Sequence, residues 1–366
     1  MKKILKSFLL AFAAVFFTGA IAILTYGTLF LNGFQDLLHQ MGWLGITLLV
    51  LLCIIIAIVF SLIKNRKILN QNDENENTDK NNEKLFDAIA SELDKMMINE
   101  EYSDIIRIGS ALSRALWISG EYDNRIKIGT LVYEAASKIN NNLAITKTLI
   151  DDIGWTYVVT NNYGKAIRNI NNGIEYAKRG NLTYWCAKGY RHLFNIYLLK
   201  NDNKNANKNL FFAEKVADTI ESEKSRIEMK NGIEYDKIEL LINEEKYDEG
   251  IKKAEALLVQ YKERVDNERV AKICSVLGKI NYLKGEYLEA IRNFLEGLQF
   301  AEACRRTDEK IKCTMGLSVC EYIEGSTKRF IYYKEECLKF LDGTNINLIF
   351  WDVIFEKFNE IKQQEE

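Results

Sequence analysis

Residues 277–298 read Leu277-Gly278-Lys279-Ile280-Asn281-Tyr282-Leu283-Lys284-Gly285-Glu286-Tyr287-Leu288-Glu289-Ala290-Ile291-Arg292-Asn293-Phe294-Leu295-Glu296-Gly297-Leu298. Apolar residues on either side of Gly285-Glu286-Tyr287 follow helical spacing, and the glycine supplies a stop between two helices. The small residues Gly278 and Ala290 let the two helices approach. Tyr287 and Phe294 are large enough to fill the space between one helix pair and the next.

The same turn recurs along the chain. It appears as Gly120-Glu121-Tyr122, Asn161-Asn162-Tyr163, Asn201-Asp202-Asn203, Glu245-Lys246-Tyr247, Gly285-Glu286-Tyr287 and Gly325-Ser326-Thr327, in steps of 41, 40, 44, 40 and 40 residues. A fixed period of this size means stacked supersecondary units, which present long concave surfaces and usually bind rather than catalyse. A second unit carries Ile153-Gly154, Tyr157, Asn161, Tyr163, Ala166, Ile167, Ile170 and Ile174 at matching offsets; a third carries Tyr197, Asn201, Ala206, Leu210 and Ala213. The repeat is uneven: Arg125 takes the small position of the 122 unit, the 247 unit has Gly250 and Ala254 where a small and a large residue are expected, and the 327 unit keeps only its turn glycine.

This spacing resembles the tetratricopeptide repeat family over about residues 100–342. The resemblance implies an all-α solenoid of about six helix pairs within an array spanning 84–345. First helices are expected near 104–118, 143–160, 182–200, 224–243, 267–283 and 307–323, and second helices near 122–138, 163–179, 203–220, 247–263, 287–303 and 327–341. A helix within 346–366, carrying Ile346, Leu348, Ile349, Phe350, Ile354 and Phe358, is expected to cap the last pair. The chain has no proline, in keeping with helix almost throughout.

The N-terminal part reads differently. Ser7–Gln35 and Leu37–Ile63 contain no charged residue, and their cores, 8–31 and 43–63, are each long enough to cross ~30 Å of hydrocarbon as helices. Lys2, Lys3 and Lys6 precede the first run; Lys64, Arg66 and Lys67 follow the second. The expectation is a transmembrane helical hairpin, 1–63, in a bacterial inner membrane, with both termini and the repeat domain cytoplasmic and the lipid bilayer as a partner. Lys2-Lys3 before an apolar run ending near Thr18-Gly19-Ala20 also has the outline of a signal peptide, although the run is long for one. Gly19, Gly27 and Gly45 are compatible with close helix packing in a homo-oligomer. Residues 64–83 are almost entirely polar and read as a linker.

The net charge is -2; six basic residues against one acidic give residues 1–67 a charge of +5, leaving -7 for the rest. That balance disfavours nucleic acid. The two histidines, His39 and His192, have no ligand or triad spacing around them, and the seven cysteines form no C-x-x-C. Asp151 and Asp152 are neighbours on a helix and point apart, so they form no acid–base couple. No catalytic residue, cofactor or metal is therefore expected, and no enzymatic activity.

In tetratricopeptide arrays the first helices line the concave groove. Carried onto this chain, the resemblance implies a partner-binding groove of Asp151, Trp155, Lys188, Arg191, Asn195, Tyr235, Glu239, Lys272, Lys279 and Tyr282. Lys188, Arg191 and Asn195 recur at helical spacing and could hold a carboxylate or an acidic peptide, whereas Asp236 and Glu239 stand where basic or amide groups would be wanted. The expected function is a scaffold or adaptor that binds a protein or peptide. The alternative is a sensor or effector whose array reads a ligand while the hairpin oligomerises to disturb the membrane.

Overall fold

The structure is a computed structural model and describes residues 75–341 and 348–365. The chain divides into two compact units, 1–89 and 90–366, with the boundary inside helix α1 (Asn75–Ile98). That helix begins within the stretch 64–83, whose polar composition reads as a linker.

The second unit is an array of antiparallel helix pairs. They are α2 (Tyr102–Ser119) with α3 (Tyr122–Lys138), and α4 with α5 (Tyr163–Arg179), followed by α6 (Thr183–Leu199) with α7 (Asn203–Asp218). Then come α8 (Glu223–Asn243) with α9 (Tyr247–Glu263), α10 (Asn267–Lys284) with α11 (Tyr287–Ala303), and α12 (Thr307–Ile323) with α13 (Thr327–Leu341). Helix α4 is composite: Asn142–Lys147 and Thr156–Val159 are α-helical, and Thr148–Trp155 between them is a π-helix. Helix α14 (Asp352–Glu365) follows. No strand occurs among the described residues. The all-helical repeat fold fits the tetratricopeptide pattern.

The periodic turn has one geometry. Its first residue is left-handed in all six units: Gly120 (φ 74°), Asn161 (56°), Asn201 (56°), Glu245 (58°), Gly285 (79°) and Gly325 (76°). The next amide then reaches back five residues, as from Glu286 N to Asn281 O at 2.8 Å and from Asn162 N to Tyr157 O at 2.8 Å. This is the Schellman stop, and it fixes where each second helix starts. Asn141, Asn162, Asp202, Ser222 and Asp266 cap the helices that follow them by accepting a backbone N–H three residues on.

Packing follows the small positions. Ala166, Ala206, Gly250 and Ala290 are buried three residues after the start of their helices. Phe294 is fully buried between two glycines: a Cβ on Gly278 would lie 2.4 Å from its ring, and one on Gly316 also 2.4 Å. Phe294 therefore ties α11 to the first helices of its own pair and of the next. In the π segment, a Cβ on Gly154 would lie 2.4 Å from the Leu149 carbonyl oxygen, so the wide turn requires glycine there.

Two expectations change. Among the described residues no helix is long and apolar enough to cross a membrane, because each long helix carries charged residues along its outer face. This overturns the localisation as a two-span inner-membrane protein with a cytoplasmic array. The runs 8–31 and 43–63 from which it was read lie outside the described residues. The C-terminal helix also starts later than 346. Residues Leu348–Trp351 are not helical, Phe350 has φ 67°, and α14 packs against α12, a first helix. The cause is Trp351, only 2% exposed, whose burial draws the chain onto the inner face before a helix forms.

Candidate functional site

The first helices α2, α4, α6, α8, α10 and α12 together wall a cavity of about 540 Å³, closed on its other side by Ile349, Phe350 and Trp351. Seven of the ten groove residues expected from the sequence line it: Asp151, Trp155, Lys188, Arg191, Asn195, Tyr235 and Lys272. Glu239 and Lys279 lie behind the wall as a buried ion pair at 2.7 Å, and the Tyr235 hydroxyl donates to Glu239 Oε1 at 3.0 Å. Tyr282 is outside the cavity and packs on the core shared by α11, α12 and α14.

The basic side chains of α6 are already engaged. Lys188 Nζ meets Asp151 Oδ2 at 2.5 Å. Arg191 holds Asp236 with both Nε and Nη2, at 2.5 and 3.1 Å, and Nη2 also donates to the Gly232 carbonyl at 2.8 Å. His192 Nε2 lies 3.1 Å from Asp151 Oδ1, and its ring stacks on Trp155 with centroids 4.3 Å apart. Asn195 is turned onto its own helix and donates to the Arg191 carbonyl at 3.0 Å. A clamp of Lys188, Arg191 and Asn195 awaiting a carboxylate is thus satisfied from within. Asp151 and Asp236 are the carboxylates it holds.

Electrostatics follow the burial. Desolvation would raise the Asp151 carboxyl, but Lys188 and His192 outweigh it and hold the group well below the carboxylate range. Burial pushes His192 below its ordinary value, against the pull of Asp151.

A second buried pair was not read from the sequence as part of the site. Arg125, 7% exposed, sits at the small position of its helix. It reaches Asp152 Oδ1 at 3.1 Å, Ser113 Oγ at 3.1 Å and Thr156 Oγ1 at 2.7 Å, and lies 4.9 Å over the Trp117 ring. Ser113 also donates to Asp152. Burial raises the Asp152 carboxyl and lowers the Arg125 guanidinium; each is the other's main compensation. An arginine where the repeat wants a small residue was the available signal. The adjacent carboxylates do point apart, Asp151 to α6 and Asp152 to α3 and α2.

The cavity lining has seven basic side chains and three carboxylates; Lys312 is neutralised by Glu309 behind the wall, which leaves a surplus of three positive charges. Arg114, Lys147 and Lys272 have no carboxylate at ion-pair distance among the described residues. Lys272 is the most confined. Its ammonium lies 3.6 Å from the Tyr235 ring centroid, and the nearby carboxylates are engaged elsewhere: Glu309 with Lys312 at 3.0 Å, Asp236 with Arg191. Burial lowers Lys272 to about 8; Glu309 opposes the shift, while Lys312 and Arg191 add to it. Among the described residues no group of three or more His, Cys, Asp or Glu side chains could hold a metal ion.

No family model matches the chain. No curated protein matches it. Among solved structures, one similar chain is a Signal Transduction ATPase with Numerous Domains protein with a tetratricopeptide repeat sensor, from Pyrococcus horikoshii. It is 15% identical, with a TM-score of 0.48 over 80% of this chain and 42% of that one, so this chain spans under half of its length. Another is the apo form of RapI, 12% identical, with a TM-score of 0.46 over 76% of this chain and 87% of that one.

Proposed function

We infer that the chain is a binding scaffold whose inner face takes a protein or peptide partner, and that acidic groups of that partner enter the cavity at Lys272 and Lys147. The three lining cations without a carboxylate partner, Arg114, Lys147 and Lys272, carry this reading. Charges of one sign in a low-dielectric recess attract the opposite sign and strengthen hydrogen bonds to it. Trp155, Tyr235 and Trp117 supply apolar area beside those cations, the composition of a recognition surface.

Selection of a random dodecapeptide library on the immobilised full chain tests this. Acidic peptides should be enriched. Lys147→Glu with Lys272→Glu should weaken them at least ten-fold; Lys208→Glu with Lys252→Glu, on exposed sites of second helices, should not. No acidic enrichment, or equal loss in both variants, would overturn the reading.

A further inference from the structure

The inner face already carries a peptide segment, and it belongs to the chain itself. Leu348–Trp351 runs outside any helix, and its side chains seat on cores built by different helix pairs. Ile349 packs on the cluster of Ile150, Leu193 and Ile196, from α4 and α6. Phe350 packs on the cluster of Phe194, Met229 and Ile233, from α6 and α8. Trp351 belongs to the cluster of Phe294, Ile311 and Met315, from α11 and α12. Lys279 and Lys312 each lie 5.8 Å from the Trp351 ring, within cation–π range, and Lys279 Nζ donates to the Phe350 carbonyl at 3.3 Å. A segment that only closed the end of the stack would meet the last pair. This one meets first helices from α4 to α12.

The chemistry of that occupant describes what the face fits. It offers an aliphatic residue, a Phe and a Trp in succession, followed by a helix that starts with Asp352. Its acidic residues Asp352, Glu356 and Glu360 are exposed on α14 and none lines the cavity, so the seated part of the occupant is apolar.

We propose that the inner face is a seat for an extended segment of the pattern aliphatic–Phe–Trp, and that Ile349–Trp351 is its resident occupant, displaced by a partner segment of the same chemistry. This rests on the reading of the inner face as the binding surface. It adds the sequence character of the partner and the competitor that governs access. Large aromatic anchors in preformed pockets are the usual hot spots of such interfaces, and an intramolecular occupant competes at high effective concentration.

The test uses a fluorescein-labelled peptide of residues 348–360 and the full chain, read by anisotropy. Wild type should bind it weakly. The full-length variant Phe350→Ser/Trp351→Ala, with its seat vacated, should bind at least ten-fold more tightly, and adding Lys279→Met should reduce that gain. Equal binding by wild type and a folded seat-vacated variant would overturn the proposal. Because that variant can fail to fold, hydrogen exchange on wild type is a second arm. The Trp351 and Phe355 amides should exchange through an opening that leaves the α10 amides protected; exchange only with global unfolding would overturn displacement. The two readings separate as follows. If those amides open locally but neither chain binds the peptide, this proposal falls, while the acidic-peptide selection still decides the proposed function. If a selected acidic peptide binds at Lys147 and Lys272 while the amides open only globally, the function stands and displacement fails.

Discussion

Lys279 donates to the main-chain carbonyl of Phe350 at 3.3 Å, joining residues 71 positions apart. The same ammonium is paired with Glu239 at 2.7 Å, so one buried cation links α8, α10 and the C-terminal segment. The pair is held by the fold, and the segment is held by the pair. Several consequences of this inner face can be measured.

Lys272 makes stability depend on alkaline pH. Its folded value is about 8, against 10.5 as the ordinary value. Between these the unfolded chain keeps a proton that the folded chain has released, so the contribution of Lys272 to stability rises with pH across this window. Below about 8 the charged group is confined at full cost. Lys272→Met should therefore raise the melting temperature at pH 7, and the difference should shrink steadily up to pH 10. Buried Cys274 and Cys320, raised from 9 to about 12, oppose the trend from about pH 9, and buried tyrosines such as Tyr235 beyond pH 10, in both proteins alike. A difference independent of pH between 7 and 10 would refute the assignment.

The Arg125–Asp152 pair should be costly to break and cheap to replace. Arg125→Met leaves a buried carboxylate alone and should lower unfolding free energy by about 3–5 kcal/mol in urea titrations. Arg125→Met with Asp152→Leu should recover most of it, because both desolvation penalties go together. A double variant no better than the single one would contradict this.

Phe294 sets the tolerance of two glycines. Gly316→Ala gains about 1 kcal/mol of helix propensity but places a methyl against a rigid, fully buried ring. Overpacking of that kind costs about 1–3 kcal/mol, so the variant should be destabilised on balance. Gly316→Ala combined with Phe294→Leu should be less destabilised than the sum of the two changes, as a double-mutant cycle would show.

Val265 is strained and exposed. It ends α9 with φ 55° and is 77% exposed, so its side chain gives up little on removal. Left-handed backbone costs a β-branched residue about 1–2 kcal/mol. Val265→Gly should stabilise the chain by roughly 1 kcal/mol after glycine's own entropy is counted. A lower melting temperature would show the strain argument to be wrong.

The helix pairs were legible because their signal is local. Left-handed residues end helices both within and between pairs, and the one inside each pair recurs every 40 or so positions, where Gly285 or Asn161 announces it without tertiary information. Packing was legible where it depends on size, as at Gly278, Ala290 and Phe294. The π segment was not, since its sequence suits an ordinary helix and only Gly154 hints at the wider turn. The charged interior was half legible. Asp236 and Glu239 looked misplaced for a clamp; in fact Asp236 neutralises Arg191, a cation of the clamp, and Glu239 neutralises Lys279 behind it. Arg125 looked like a degraded repeat position, and its partner Asp152 lies on the following pair. The position of Ile349–Trp351 depends on how the stack turns over several pairs, which no local pattern records. The membrane hairpin was a reading of residues 1–63 alone, and the described helices give it no support.

The central claim is that a partner lies along the first helices. Hydrogen exchange of the full chain, with and without a saturating acidic peptide from the library selection, tests it most directly. New protection is predicted at Asp151–Trp155, Lys188–Asn195, Tyr235–Glu239 and Lys272–Lys279, with α5, α7 and α9 unchanged. Protection confined to those second helices would contradict the account.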